Sequence, residues 1–155
     1  MSTRIATAED RDLFSRLWTE YTIEHHKAGS DVMPTARTLR YFVGLFDAFL
    51  GGTAMGVVVF GGDDNAVLMW GAPGANGLPY DSAFGYVAQG FGTYVRASHR
   101  GKGISKKLRQ RAVKLLKKRG FDSVMGSSAE GNQIGFETGT HFGFEVIQTT
   151  GILRL

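Results

Sequence analysis

The chain has 155 residues, one domain's worth of sequence, and its 43% hydrophobic and 12% aromatic content supplies a core and excludes a disordered chain. It has no cysteine, which excludes disulfides, thiolate metal sites and cysteine nucleophiles together. The net charge of +4 conceals an asymmetry: eleven of the eighteen basic residues lie between Arg96 and Arg119, and no acid occurs from Ser82 through Phe121, which leaves the rest of the chain, seven basic against fourteen acidic residues, at −7.

The longest apolar run, Ala54 to Phe60, is seven residues and contains Gly56. A bilayer-spanning helix needs about 20, so no membrane span is expected. Residues 1–12 are mixed in charge with no apolar stretch, and we expect no secretory signal. The expectation is a single domain over residues 1–155, in the cytoplasm. Glycine is the outlier at 22 residues, about twice ordinary usage.

In chain order, residues 3–6 form a short strand. Thr7 and Asp10 have capping-box spacing, and Leu13, Phe14, Leu17, Trp18 and Tyr21 then recur at helical period up to about Lys27. Pro34 and Thr35 open a second helix with the stripe Leu39, Phe42, Val43, Phe46 and Leu50, stopped at Gly51 and Gly52. Residues 53–60 and 66–70 read as strands joined by a hairpin turn over 61–65. Residues 71–83 read as a loop. A long strand returns over 84–98, and Gly85, Gly90 and Gly92 inside it point to a bulge or the close approach of another group. An amphipathic helix over 103–120 turns Ile104, Leu108, Ala112, Leu115 and Leu116 inward. A strand over 122–128, a helix over 132–142 and strand material from Glu145 complete a mixed α/β reading.

The segment Arg100-Gly101-Lys102-Gly103-Ile104-Ser105 joins the long strand to the basic helix. First-turn N–H groups of a helix have no internal partner, and the helix dipole adds positive charge there. Glycines at 101 and 103 let backbone come close to a diphosphate, and Arg100, Lys102 and Lys106 add charge at the rim. The segment is neither a P-loop nor a GxGxxG dinucleotide fingerprint.

The run 93–108 (TYVRASHRGKGISKKL) resembles the acetyl-CoA-binding motif of the GNAT superfamily of N-acetyltransferases, whose core pattern is [QR]xxGx[GA]. Asn132, Gly143 and Phe144 fall at the spacing of that family's second motif, and the order of elements agrees over most of the chain. The resemblance implies a mixed, mainly antiparallel sheet with a splayed strand pair, flanked by helices. It implies that Tyr94 and Val95 end the central strand where backbone pairs with the pantetheine arm. It places the pyrophosphate on Arg100, Gly101, Lys102, Gly103, Ile104 and Ser105, and it sets Asn132 against the pantetheine arm. The implied reaction transfers an acetyl group from acetyl-CoA to a primary amine, with backbone N–H near Val95 polarising the thioester carbonyl. The implied partners are acetyl-CoA and an amine acceptor, small molecule or protein, with a homodimer left open.

One departure bears on catalysis. The family commonly places a tyrosine at position 139 to protonate the departing thiolate, and this chain has Gly139. Its helical neighbours Gly135, Phe136, Phe142 and Gly143 donate no proton, and His141 points about 200° away. No carboxylate base lies on the central strand. The catalytic residues are therefore unassigned, and a CoA-binding protein without catalysis is a second reading. A third is a nucleic-acid-binding protein using the 96–119 face. Nucleic acid is not expected as a partner, because only Phe91 and Tyr94 supply nearby rings for stacking. His25 and His26 are adjacent on a helix and do not chelate together, so no metal is expected. Glu24, His25 and His26 are candidates for the acceptor side, as are Tyr80 and Asp81. Ser127 and Ser128 are candidates for holding the acceptor by hydrogen bonds. Trp18 and Trp70 read as core.

Overall fold

The structure is a computed structural model and describes residues 2–72, 81–127, 133–145 and 154. Strand β1 (Thr3–Ile5) leads to helix α1 (Arg11–Lys27), with Asp10 Oδ2 accepting the Thr7 N–H at 2.8 Å as the capping spacing requires. Helix α2 (Ala36–Gly51) starts at Thr35, whose hydroxyl accepts the Thr38 N–H, and ends at left-handed Gly52. Strands β2 (Gly56–Gly61) and β3 (Ala66–Gly71) form the expected hairpin. Strand β4 (Asp81–Ser82) pairs with the start of β5 (Gly85–Val95), so the stretch read as a loop ends in strand. Helix α3 (Ile104–Lys118), strand β6 (Ser123–Gly126) and helix α4 (Gln133–Phe142) follow. The strand material expected after Glu145 lies outside the described residues.

The sheet runs β1-β2-β3-β5 in antiparallel pairs, and β6 joins β5 in parallel through the crossover helix α3. This is the mixed, mainly antiparallel sheet that the family resemblance implies, with β5 and β6 as its parallel pair. Alternation along β2 and β3 divides the side chains between two cores. Val58, Phe60, Val67 and Met69 face α1 and α2, where Phe14 stacks on both Trp18 and Phe46. Val57, Val59, Ala66, Leu68 and Trp70 face α3, whose Ile104, Leu108, Ala112 and Leu116 are buried. Truncating a fully buried side chain such as Leu108 to Ala costs about 2–5 kcal/mol in sites of this kind. Trp18 and Trp70 both sit in these cores, as the sequence suggests.

Strand β5 changes character at Phe91. Met69 pairs with Gly92 but its neighbour Trp70 pairs with Gly90, so Phe91 is an extra, bulged residue. Before the bulge, Ala88 belongs to the α3-side core, and a Cβ on Gly90 would meet Trp70 Nε1 of that core at 3.2 Å. After it, Phe91 packs toward Phe49 on the other face, a Cβ on Gly92 would meet the Tyr21 ring at 2.5 Å, and Tyr94 is buried on that same face. One inserted residue reverses the parity of the strand.

Candidate functional site

The bulge also opens an edge. The parallel pairing of β5 with β6 runs from Val87–Ser123 to Gly90–Gly126 and no further. Beyond it, residues 91–95 have only β3 beside them among the described strands. The Arg96 N–H bonds the Asn65 carbonyl at 2.9 Å, which continues the β3–β5 register. Antiparallel residues alternate in direction, so the backbone groups of Gly92 and Tyr94 point toward β3. Those of Thr93 and Val95 point to the open edge. Of the two strand-end residues singled out in the sequence, Val95 thus presents its N–H to the opening, its C=O on the same edge accepting from Arg100 Nε, while Tyr94 spends its backbone on β3. Thr93 is a further edge residue that the motif alone did not reveal.

The strand leads through a 3₁₀ turn (Ala97–His99) into the glycine loop. Gly101 and Gly103 both adopt left-handed φ, at 77° and 73°, and nothing lies within 4 Å of a Cβ at either position. That conformation costs an L-residue roughly 1–2 kcal/mol, which explains glycine at both. Gly103 caps α3 with no side-chain hydrogen bond to the first turn, so the first N–H groups remain available to a ligand. Lys102 and Lys106 are exposed at this rim, and Ser105 is partly exposed in the first turn. Ile104 contributes backbone only, because its side chain is buried over the β2–β3 turn and a Cβ on Gly62 would strike it at 2.8 Å.

Arg100 behaves differently from the rim charge expected of it. Its Nε donates to the Val95 carbonyl at 2.8 Å, and its Nη2 is ion-paired with Glu24. The guanidinium therefore turns back from the loop onto the strand end, 5.9 Å from the centre of the Tyr94 ring.

Glu24 is one of two carboxylates that α1 delivers here, a helical turn apart. Glu20 accepts from Arg96 Nε and Nη2 at 2.9 and 2.7 Å, and Arg96 also reaches Asn65 Oδ1 at 3.1 Å. The bond from Arg96 holds the Glu20 carboxyl below its ordinary range. The Tyr94 hydroxyl donates toward Glu20 at 3.3 Å and Glu24 at 3.2 Å. Burial and then the Glu24 charge raise the Tyr94 hydroxyl well above the usual tyrosine range, so it stays protonated. Arg96, Glu20, Tyr94, Glu24 and Arg100 form a continuous network tying α1 to the end of β5. Sequence reasoning named Glu24 for the acceptor side and found no carboxylate base on β5, but it missed Glu20 and the pairing of Glu24 with Arg100. The signal was the i, i+4 pair Glu20 and Glu24 on α1, legible only once α1 is known to lie under the strand end.

His25 and His26 diverge, as adjacent helical residues must. His25 stacks on Tyr21 at 5.0 Å and burial lowers its pKa from the ordinary value, while His26 Nδ1 lies 3.0 Å from the Ser30 carbonyl. Burial alone pushes Tyr21 up to about 12. Asn132, Tyr80 and Ser128 lie outside the described residues, as does the side chain of Asp81. Ser127 is exposed just beyond β6. On α4, a Cβ at Gly139 meets nothing within 4 Å, and His141 is turned to the Glu137 carbonyl at 2.9 Å. No group of at least three potential metal ligands occurs among the described residues, and no described helix is long and apolar enough to cross a membrane.

Comparison with known proteins agrees with this geometry. The family model described as Acetyltransferase (GNAT) family matches residues 11–136. Among solved structures, the BH1408 protein from Bacillus halodurans (a mutant form) aligns with 100% of this chain and 99% of its own, at 18% identity and TM-score 0.72. An aminoglycoside antibiotic 6'-N-acetyltransferase from Acinetobacter haemolyticus aligns with 100% and 98%, at 16% identity and TM-score 0.73. Another aminoglycoside N-acetyltransferase, solved in complex with CoA, aligns with 99% and 98%, at 15% identity and TM-score 0.68. At these identities the likeness is one of fold. No curated protein matches this sequence.

Proposed function

The chain belongs to the GNAT acetyltransferase family, and from that premise we propose that residues 1–155 form one acetyl-CoA-dependent N-acetyltransferase domain acting on a primary amine. One observation carries the reading: the edge freed by the Phe91 bulge runs directly into a loop with two left-handed glycines at the start of a helix. That juxtaposition suits a long ligand with an extended arm at one end and a diphosphate at the other. The aminoglycoside acetyltransferase solved with CoA, a structural neighbour, is consistent with it. When bound, acetyl-CoA supplies an acyl group already activated as a thioester.

In this reading, N–H groups from Gly101 to Ser105 hold the diphosphate, with Lys102 and Lys106 adding charge. The open-edge groups of Thr93 and Val95 pair with the extended arm, and Asn132 is assigned to the same arm. A backbone N–H near Val95 stabilises negative charge on the thioester oxygen during attack. The amine attacks as a free base. Glu20 and Glu24 are both held by arginines and by Tyr94, so we assign them to positioning and leave the amine proton to solvent. With glycine at 139, water also protonates the leaving thiolate, which a reference thiol pKa of about 8.5 permits.

The test has two stages. Calorimetry with acetyl-CoA, CoA and ATP should show binding of the CoA species, and free-thiol release should then be followed across a panel of amines, amino acids and peptides. Acceptor-dependent release by the wild type supports transfer. Gly139→Tyr, at a position where an added Cβ meets nothing within 4 Å, should not be needed for turnover. Tight CoA binding with no release from either form, or release from the tyrosine variant alone, favours the second reading, a CoA-binding protein without catalysis. Gly139 is the observation that motivates it.

A further inference from the structure

The two arginines at the end of β5 are each answered by a carboxylate, Arg96 by Glu20 and Arg100 by Glu24. Arg109, in the second turn of α3, is not. Its Nε and Nη1 are buried with no hydrogen-bond partner among the described residues, and it forms no ion pair there. No acid occurs from Ser82 through Phe121. Of the acids beyond, Asp122 accepts the Tyr86 N–H at 2.8 Å, and Glu137 and Glu145 are exposed. The Phe142 ring of α4 has its centre 5.7 Å from the Arg109 Cζ. A ring face attracts the charge, but the N–H groups lie in the guanidinium plane and need oxygen acceptors. Burial lowers the Arg109 pKa from the ordinary arginine value.

A buried cation without an anion is unfavourable, and an apolar side chain would fill the space beside Phe142 without that cost. Packing alone does not account for arginine here. Its place in the structure does. Ser105, Arg109 and Val113 stand at i, i+4 spacing and are all half-buried, so they make one row along α3. Val113 lines a cavity together with Met125, Gly126, Phe142 and Phe144. Gly126 is where β6 parts from β5, so the row looks toward the side on which the β5 edge is open. Ser105, at the other end of the row, belongs to the glycine cradle. Arg109 stands roughly 9 Å from Gly103 along the helix axis, and long helical side chains lean back about one turn toward the N-terminus. That lean carries the guanidinium to the level of Ser105, between the cradle and the open edge.

We propose that Arg109 is a ligand of the acetyl-CoA diphosphate and closes the cradle from the α4 side, a step that rests on the acetyltransferase reading above. Backbone N–H groups from Gly101 to Ser105 hold the diphosphate from one side, and Nε and Nη1 of Arg109 supply charge-assisted bonds from the other. The amide carbonyls of the extended arm suit the site less well, because they accept hydrogen bonds without neutralising a desolvated charge. The ribose phosphate of CoA is attached at the end of the diphosphate opposite the arm. An arm on the β5 edge therefore carries that phosphate away from Arg109. Lys102 and Lys106 reach a phosphate from solvent, where water screens them. Arg109 meets it where water is excluded, and the attraction there is stronger.

The experiment compares the wild type with Arg109→Met. Binding of CoA and 3'-dephospho-CoA is measured by calorimetry and of pantetheine by NMR titration, and each protein is melted without ligand. The variant should weaken CoA and dephospho-CoA by the same factor, about 10- to 100-fold for a lost charge-assisted hydrogen bond. Pantetheine, which has no phosphate, should bind both forms equally. The free variant should melt no lower than the wild type, because an apolar chain has replaced a buried, unanswered cation; a merely structural arginine would move the melting temperature and not the affinity. Unchanged CoA affinity in the folded variant overturns the proposal. So does a loss confined to CoA, which moves Arg109 to the ribose phosphate, or an equal loss for pantetheine, which moves it to the arm. A variant that melts lower or fails to fold also overturns it, since the fold then needs the guanidinium. These outcomes leave the acetyltransferase reading standing, whereas a wild type that binds no CoA species removes that reading and this proposal with it.

Discussion

The two halves of β5 are built from the same strand and answer to different demands. From Gly85 to Gly90 the strand has several partners: β4 pairs with Gly85 and Tyr86, β6 with Val87 to Gly90, and β3 with Gln89 and Gly90. From Phe91 to Val95 it keeps β3 alone among the described strands. The first half holds the sheet together. The second, its parity reversed by one inserted residue, gives side chains to the α1–α2 core and leaves backbone groups of Thr93 and Val95 unclaimed by a strand. A fold creates a binding edge here by stopping its own pairing, which needs no special side chain.

The largest expected effect comes where the second half empties into the loop. Gly103→Glu puts a carboxylate and a Cβ at left-handed φ into the diphosphate cradle. Acetyl-CoA affinity should fall by at least 100-fold by calorimetry, with circular dichroism showing a folded protein. Unchanged affinity in a folded variant would remove the loop from the site.

The bulge itself is tested next. Gly92→Val drives its side chain into the Tyr21 ring, which packs against Trp18 and Tyr94. Overpacking of this kind costs about 1–3 kcal/mol in denaturant unfolding. Gly90→Ala, with its nearest contact at 3.2 Å to Trp70 Nε1, should cost less. Equal costs would mean that the two halves are not packed differently.

Removing the Tyr94 hydroxyl probes the network below the open edge. Tyr94→Phe deletes the hydrogen bonds to Glu20 and Glu24 and keeps the ring. A loss of about 0.5–1.5 kcal/mol is expected, and a gain would show that the carboxylates are better left apart.

The smallest effect is a pH dependence centred on His25, under the second half. Burial lowers its pKa in the folded state, so the unfolded chain binds the proton more readily. Its contribution is present above about pH 6.5, the reference value, and is lost as pH falls through the folded value. The melting temperature should drop on acidification from pH 7, and His25→Phe, which keeps a ring against Tyr21, should reduce that drop. An identical pH profile in the variant would assign the effect elsewhere.

Local signals in the sequence determined much of this protein. The apolar periods of α1, α2 and α3, the 61–65 turn and the glycine loop before α3 are written in neighbouring residues, because helix period, turn chemistry and left-handed backbone are short-range properties. Glycines 90 and 92 announced a bulge or a close approach, and both occur: an extra residue at Phe91 and the rings of Trp70 and Tyr21 against the backbone. Tertiary structure decided what depends on residues distant in the chain. That Arg100 turns to Glu24, 76 positions away, and that Glu20 holds Arg96 follow from α1 crossing beneath the end of β5. That Val95 rather than Tyr94 offers its backbone outward follows from strand register, which pairing with β3 sets. The sequence marked where an anionic ligand could meet backbone, since glycine and charge act locally. Which side chains surround that place is fixed by packing between elements, and no spacing within one element encodes it.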